Sequence, residues 1–175
     1  PIRYALFKFI GNLEFNQPLF IVFAEPTTDA YKESTSLCAE GVRLAEAGKV
    51  EEALAAMTRG VQAAPERAAA YNDRAQLLRL MLKDDGTNAM SDLDRALELT
   101  SGKKTRARAL ALCQRGVLLR KQGKDDDARA SFTEAAKLGS SFAKKQVFVY
   151  LPTSYLNNLK SINITIILRT KCLFM

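Results

Sequence analysis

An all-α fold, a short right-handed solenoid of three helix hairpins with a C-terminal capping helix, is predicted by three observations. The middle of the chain is dominated by Ala, Leu, Arg, Glu and Lys, which are strong helix formers. Apolar residues recur there at helical spacing, as in Leu37, Val42, Leu44 and Ala45, so each helix has one face to bury. A small–large–small set of side chains also occurs three times, as Ala53, Met57 and Gly60, then Ala89, Leu93 and Ala96, then Ala128, Phe132 and Ala135.

The triplets have a packing reason. Two helices cross closely only where the contact residue is Gly or Ala, and larger residues on either side fill the groove between them. In the first unit Gly41 is the small residue of the first helix (A), Gly48 makes the turn, the triplet lies on the second helix (B), and Pro65 closes the unit. In the second unit Tyr71 takes a large aromatic position, and Ala75 stands 34 residues after Gly41. Ala89 follows Ala53 by 36 residues, so the turn at Lys83-Asp84-Asp85-Gly86 carries two extra residues, and Thr100-Ser101-Gly102 replaces the closing Pro. In the third unit Gly116 and Gly123 are the small residue and the turn, after a longer linker at Ser101-Gly102-Lys103-Lys104. Asp125-Asp126-Asp127 opens helix B, where negative charge suits a helix N-terminus. Phe142 to Val149 is expected to cap the last hairpin, since the end face of a repeat array otherwise leaves apolar surface in water. A period of about 34 residues with these small positions is the tetratricopeptide pattern.

The units fall at about 34–67, 68–103 and 109–142, inside a repeat domain expected over 31–149. Residues 1–30 differ in composition: Tyr4-Ala5-Leu6-Phe7-Lys8-Phe9-Ile10 has strand character, and the segment reads as an N-terminal arm. Residues 150–175 follow Pro152 and end in an Ile-rich stretch, an atypical tail unrelated to the helical core.

Composition narrows the function. Of 175 residues 47% are hydrophobic and 26% charged, as in a soluble globular protein. There is no His, which removes the commonest general base and metal ligand. Cys38, Cys113 and Cys172 form no CxxC pair, so neither a zinc site nor a disulfide framework is expected. Cys38 and Cys113 fall on apolar helix positions as buried thiols, which suits a reducing cytoplasm. No apolar run reaches the ~18 residues that span a bilayer. No nucleophile–base set or phosphate loop is present, so an enzyme, a metal and a cofactor are not expected. The net charge of +7 admits a basic nucleic-acid-binding repeat as an alternative. The run Lys103, Lys104, Arg106 and Arg108, however, has no interleaved aromatics for base stacking and reads as a solvated linker.

Several stretches resemble a known family more closely than the general pattern requires. They are Pro65-Glu66-Arg67-Ala68-Ala69-Ala70-Tyr71-Asn72-Asp73-Arg74-Ala75-Gln76, Asp92-Leu93-Asp94-Arg95-Ala96-Leu97-Glu98-Leu99, Gln114-Arg115-Gly116, Gly123-Lys124-Asp125-Asp126-Asp127-Ala128-Arg129 and Ala135-Ala136-Lys137-Leu138-Gly139-Ser140-Ser141-Phe142-Ala143-Lys144. Over about 36–147 the chain resembles the tetratricopeptide repeat protein 36 family. Both ends depart from that family. The resemblance implies a non-enzymatic adaptor, a 70-kDa heat shock protein among its partners, and links to tyrosine catabolism and cilia.

A candidate binding face follows from aligning the helices A on Gly41, Ala75 and Gly116. The positions expected to line the concave groove are Cys38, Val42 and Ala45, then Asn72, Asp73, Gln76 and Arg79, then Gln114, Val117, Arg120 and Lys121. One end is apolar, the middle carries amides and an acid, and the far end is basic, which suits a peptide or helix with an apolar anchor and an acidic flank. Asn72 and Gln76, one turn apart, are expected to bond a ligand backbone. Tetratricopeptide domains that grip the acidic tail of heat shock proteins need Lys and Asn four apart in the first unit, Asn in the second, and Lys and Arg four apart in the third. Here those places hold Cys38 and Val42, Asp73, and Leu110 and Gln114, none of them basic, so tail clamping is poorly supported.

Overall fold

The computed structural model describes residues 26–81 and 86–149; residues 1–25 of the arm, the tail and the turn residues 82–85 lie outside the described residues. Seven helices follow one another: α1 (Asp29–Glu46), α2 (Val50–Ala63), α3 (Ala68–Met81), α4 (Thr87–Leu99), α5 (Arg106–Lys121), α6 (Asp125–Lys137) and α7 (Ser141–Val149). Among the described residues there is no strand. The fold is the expected all-α repeat solenoid. Its first helix opens at Asp29, within the segment assigned to the arm, because the Thr28 hydroxyl accepts from the Tyr31 N–H at 3.4 Å and caps it.

Helices α1 and α2, α3 and α4, and α5 and α6 pair as antiparallel hairpins, and α7 packs on α6. The triplets sit at the crossings as their chemistry requires: Ala53, Met57, Ala89, Leu93, Ala96, Ala128, Phe132 and Ala135 are each fully buried. The hairpin turns after α1 and α5 pass through Gly48 (φ 79°) and Gly123 (φ 74°), the left-handed conformation that ends a helix without a Cβ penalty. At the C-terminal end the Phe142 ring meets Phe132 edge-on, with centroids 6.1 Å apart and planes at 71°. Ala143 of α7 is fully buried, so α7 covers the last hairpin as anticipated.

Charged contacts tie helices together, two of them at 2.7 Å. Arg74 of α3 holds Asp92 of α4 through two parallel bonds, Nε to Oδ2 at 2.8 Å and Nη2 to Oδ1 at 2.7 Å, a fork geometry that gives direction as well as attraction. Arg108 corrects one expectation. It is not part of a solvated basic run: its guanidinium donates to Glu134 of α6 at 2.7 Å and to the Leu97 carbonyl at 3.1 Å. It thereby straps the end of the second hairpin to the third. Lys103, Lys104 and Arg106 remain exposed.

Candidate functional site

The layering of the helices decides which face is concave. Neighbouring A helices touch, α1 with α3 and α3 with α5, whereas successive B helices barely meet. The array therefore closes on its A side and opens on its B side. The inner surface is built from α1, α3 and α5, in register on Gly41, Ala75 and Gly116. Val42, Gln76 and Val117 occupy one row across it, and Ala45, Arg79 and Arg120 the next row, one turn further along.

The structure divides the expected groove residues into two groups. Val42, Asp73, Arg79 and Val117 are half-buried, and Arg120 and Lys121 are exposed. These six keep some surface in water. Arg120 donates to Gln146 of α7 at 2.6 Å, so the capping helix holds it at the groove's end. Cys38, Ala45, Asn72, Gln76 and Gln114 are buried.

Asn72 and Gln114 are corrected from groove lining to packing between helices. The Asn72 amide donates to the Ala107 carbonyl of α5 at 2.9 Å, and the Gln114 amide donates back to the Asn72 carbonyl at 3.2 Å. The reason is the close approach of α3 and α5, which encloses both amides between the two helices. The cross-bonding sets the angle between the second and third units, a positioning role. It leaves Asn72 Oδ1 and Gln114 Oε1 buried without a hydrogen-bond partner among the described residues.

Cys38 and Cys113 are structural. Burial pushes both the Cys38 and Cys113 thiols up to about 11, so neither supplies a thiolate near neutral pH. Cys113 lies 3.2 Å from the Ser140 hydroxyl, and Arg67 reaches Cys38 Sγ at 3.8 Å and Ser34 Oγ at 3.4 Å. Among the described residues no group of three potential metal ligands occurs, and no helix is long and apolar enough to cross a membrane.

Arg79 stands apart from the other arginines. Its Nε and Nη2 are buried with no hydrogen-bond partner among the described residues, and desolvation pulls its pKa down to about 10. Leu80 beside it packs with Val42 against Ala45, Ala53, Met57 and Leu77, giving the groove an apolar wall at this point. Leu80 is absent from the sequence-expected set, although its place four residues after Gln76 is the helical spacing that marks the same stripe.

Three nested hairpins with small residues at each crossing, a terminal cap, and an inner face made of A helices define a tetratricopeptide repeat protein. The chain is 45% identical over 127 residues to tetratricopeptide repeat protein 36 of Homo sapiens, which covers 73% of this chain and 66% of that protein. It is 44% identical over 149 residues to the Xenopus tropicalis protein of the same name, covering 85% of this chain and 71% of that one. The Caenorhabditis elegans protein is 41% identical over 128 residues, covering 73% and 70%. The chain belongs to the tetratricopeptide repeat protein 36 family. It spans about two thirds of the length of these relatives. No family model matches the chain. Among solved structures, the first tetratricopeptide domain of Spaghetti, bound to the HSP90 peptide SRMEEVD, is similar in fold. Its TM-score is 0.57 at 23% identity, covering 67% of this chain and 89% of that one.

Proposed function

We propose that the chain is a non-enzymatic adaptor that binds a segment of a partner protein in the concave groove formed by α1, α3 and α5. The observation that carries this reading is the split between the two faces of the A helices. Their triplet-facing sides are sealed into the hairpins, while Val42, Arg79 and Val117 keep partial exposure on the inner surface. Half-exposed apolar side chains on a preformed concave surface favour docking of an apolar anchor, and Arg120 and Lys121 at the far end favour an acidic flank. That a domain of similar fold holds a peptide is in keeping with this reading.

Affinity purification from cells followed by mass spectrometry tests it. The intact chain is compared with a double variant, Arg120→Glu and Lys121→Glu, which reverses the charge at the exposed end of the groove and leaves the hairpin crossings untouched. Partners captured by the wild type and lost from the variant are the expected result; partners retained by both would place binding elsewhere.

A chaperone-tail mode is the second reading, raised by the SRMEEVD peptide of the neighbouring structure. The residues here oppose it. Cys38 and Gln114 are buried, and Val42, Asp73 and Leu110 carry no positive charge to meet a terminal carboxylate. Titration with SRMEEVD should show no saturable binding, and saturable binding would restore this reading. A 70-kDa heat shock protein partner would then use a surface other than the tail clamp.

A further inference from the structure

We infer that Arg79 is the anion receptor of the groove, taking a side-chain carboxylate of an extended peptide whose apolar anchor sits beside Val42 and Leu80. This rests on the groove reading above and specifies the chemistry of its ligand.

The first support is the state of the guanidinium. An arginine placed for packing normally spends its N–H groups on nearby carboxylates or carbonyls. Arg74 does so with Asp92, and Arg108 with Glu134 and the Leu97 and Thr100 carbonyls. Arg79 has two buried nitrogens and no such partner among the described residues. A desolvated guanidinium without a partner costs folding stability, and among the described residues no packing role offsets that cost.

The second support is position. Arg79 stands one turn beyond Gln76 on the inner stripe of α3, in the row of Ala45 and Arg120. Ala45 is buried and uncharged, so the α1 side of that row carries no cation. Arg120 and the neighbouring Lys121 are exposed on the α5 side, so the positive charge increases from α1 towards α5. Asp73 lies on α3 six residues before Arg79, about 9 Å away along the helix axis at 1.5 Å per residue. A peptide carboxylate is therefore drawn to the Arg79 end and repelled from the Asp73 end.

The third support is the apolar wall. Leu80 and Val42 flank the site within one cluster, and a carboxylate paired with a guanidinium beside apolar side chains is held more firmly than one in open water. None of these residues occupies a tail-clamp position, so the receptor is suited to an internal Asp or Glu and does not require a free chain end.

A random heptapeptide library displayed through its C-terminus, which leaves no free carboxylate end, is panned against the full chain, Arg79→Met and Arg79→Lys. Thermal melts of all three accompany the panning. We expect the wild type to select Asp or Glu at a constant distance from an apolar residue. The selected peptide should bind Arg79→Met about tenfold more weakly or worse, the loss expected for a charge-assisted bond. Arg79→Lys should retain the acidic preference with weaker binding, and Arg79→Met should melt no lower than the wild type. A consensus without an acidic residue, an acidic preference that survives in Arg79→Met, or a lowered melting temperature in Arg79→Met would overturn the receptor while leaving groove binding intact. Selection of no consensus at all would overturn both.

Discussion

At the residue scale, the fold depends on side chains that are small where helices cross. Gly116 shows how little room there is. A Cβ at that position would lie 2.8 Å from Phe132 Cε1 and Cζ and 2.9 Å from Cδ1. The ring cannot easily yield, because it is fully buried and meets Phe142 on its other side. Gly41 is as tight: a Cβ there would lie 2.6 Å from Cγ of the fully buried Met57 and 3.1 Å from the Ala53 carbonyl oxygen. Gly→Ala in a helix normally gains up to about 1 kcal/mol in propensity. Overpacking by one methyl group in a tight core costs about 1–3 kcal/mol. Gly116→Ala and Gly41→Ala should therefore both lower stability in a denaturant melt. A variant as stable as the wild type or more so would show that its crossing is looser than the coordinates place it.

At the element scale, the hairpins depend on one another through specific polar contacts. The second hairpin is pinned by the Arg74–Asp92 fork, with the arginine side chain 20% exposed and the carboxylate 9%. Such a pair adds little net stability over apolar packing, but removing one partner strands the other. Asp92→Ala should cost about 3 kcal/mol, and Arg74→Met combined with it should recover part of that loss. A double variant as unstable as the sum of the two singles would mean that the residues do not act as a pair. The second and third hairpins are joined differently, by the crossed amides of Asn72 and Gln114 and by Arg108. The sequence marks all of these as polar positions. It does not show that α3 and α5 approach closely enough to bury the amides, since that depends on tertiary packing. For the same reason Asn72 and Gln114 look like ligand contacts when read one helix at a time. Arg108 looks solvated because its partner Glu134 stands 26 residues away.

At the scale of the whole molecule, the solenoid was legible because one periodic signal repeats three times. Each triplet constrains the same crossing, and Gly48 and Gly123 mark their turns. The identity of the inner face was legible too, because alignment on Gly41, Ala75 and Gly116 gives its register. The electrostatics of the groove were less so. Arg79, Arg120 and Lys121 are alike as letters. Only the coordinates separate a desolvated guanidinium without a partner from one bonded to Gln146 and from an exposed lysine.

The central claim is that the inner surface, not the outer one, receives the partner. Backbone amide shifts of the isotope-labelled chain, followed by NMR during titration with the displayed peptide that it selects, test this most directly. The account predicts shifts concentrated on α1, α3 and α5, with Val42, Gln76, Arg79 and Val117 among the most affected. Shifts confined to the exposed sides of α2, α4 and α6 would contradict it.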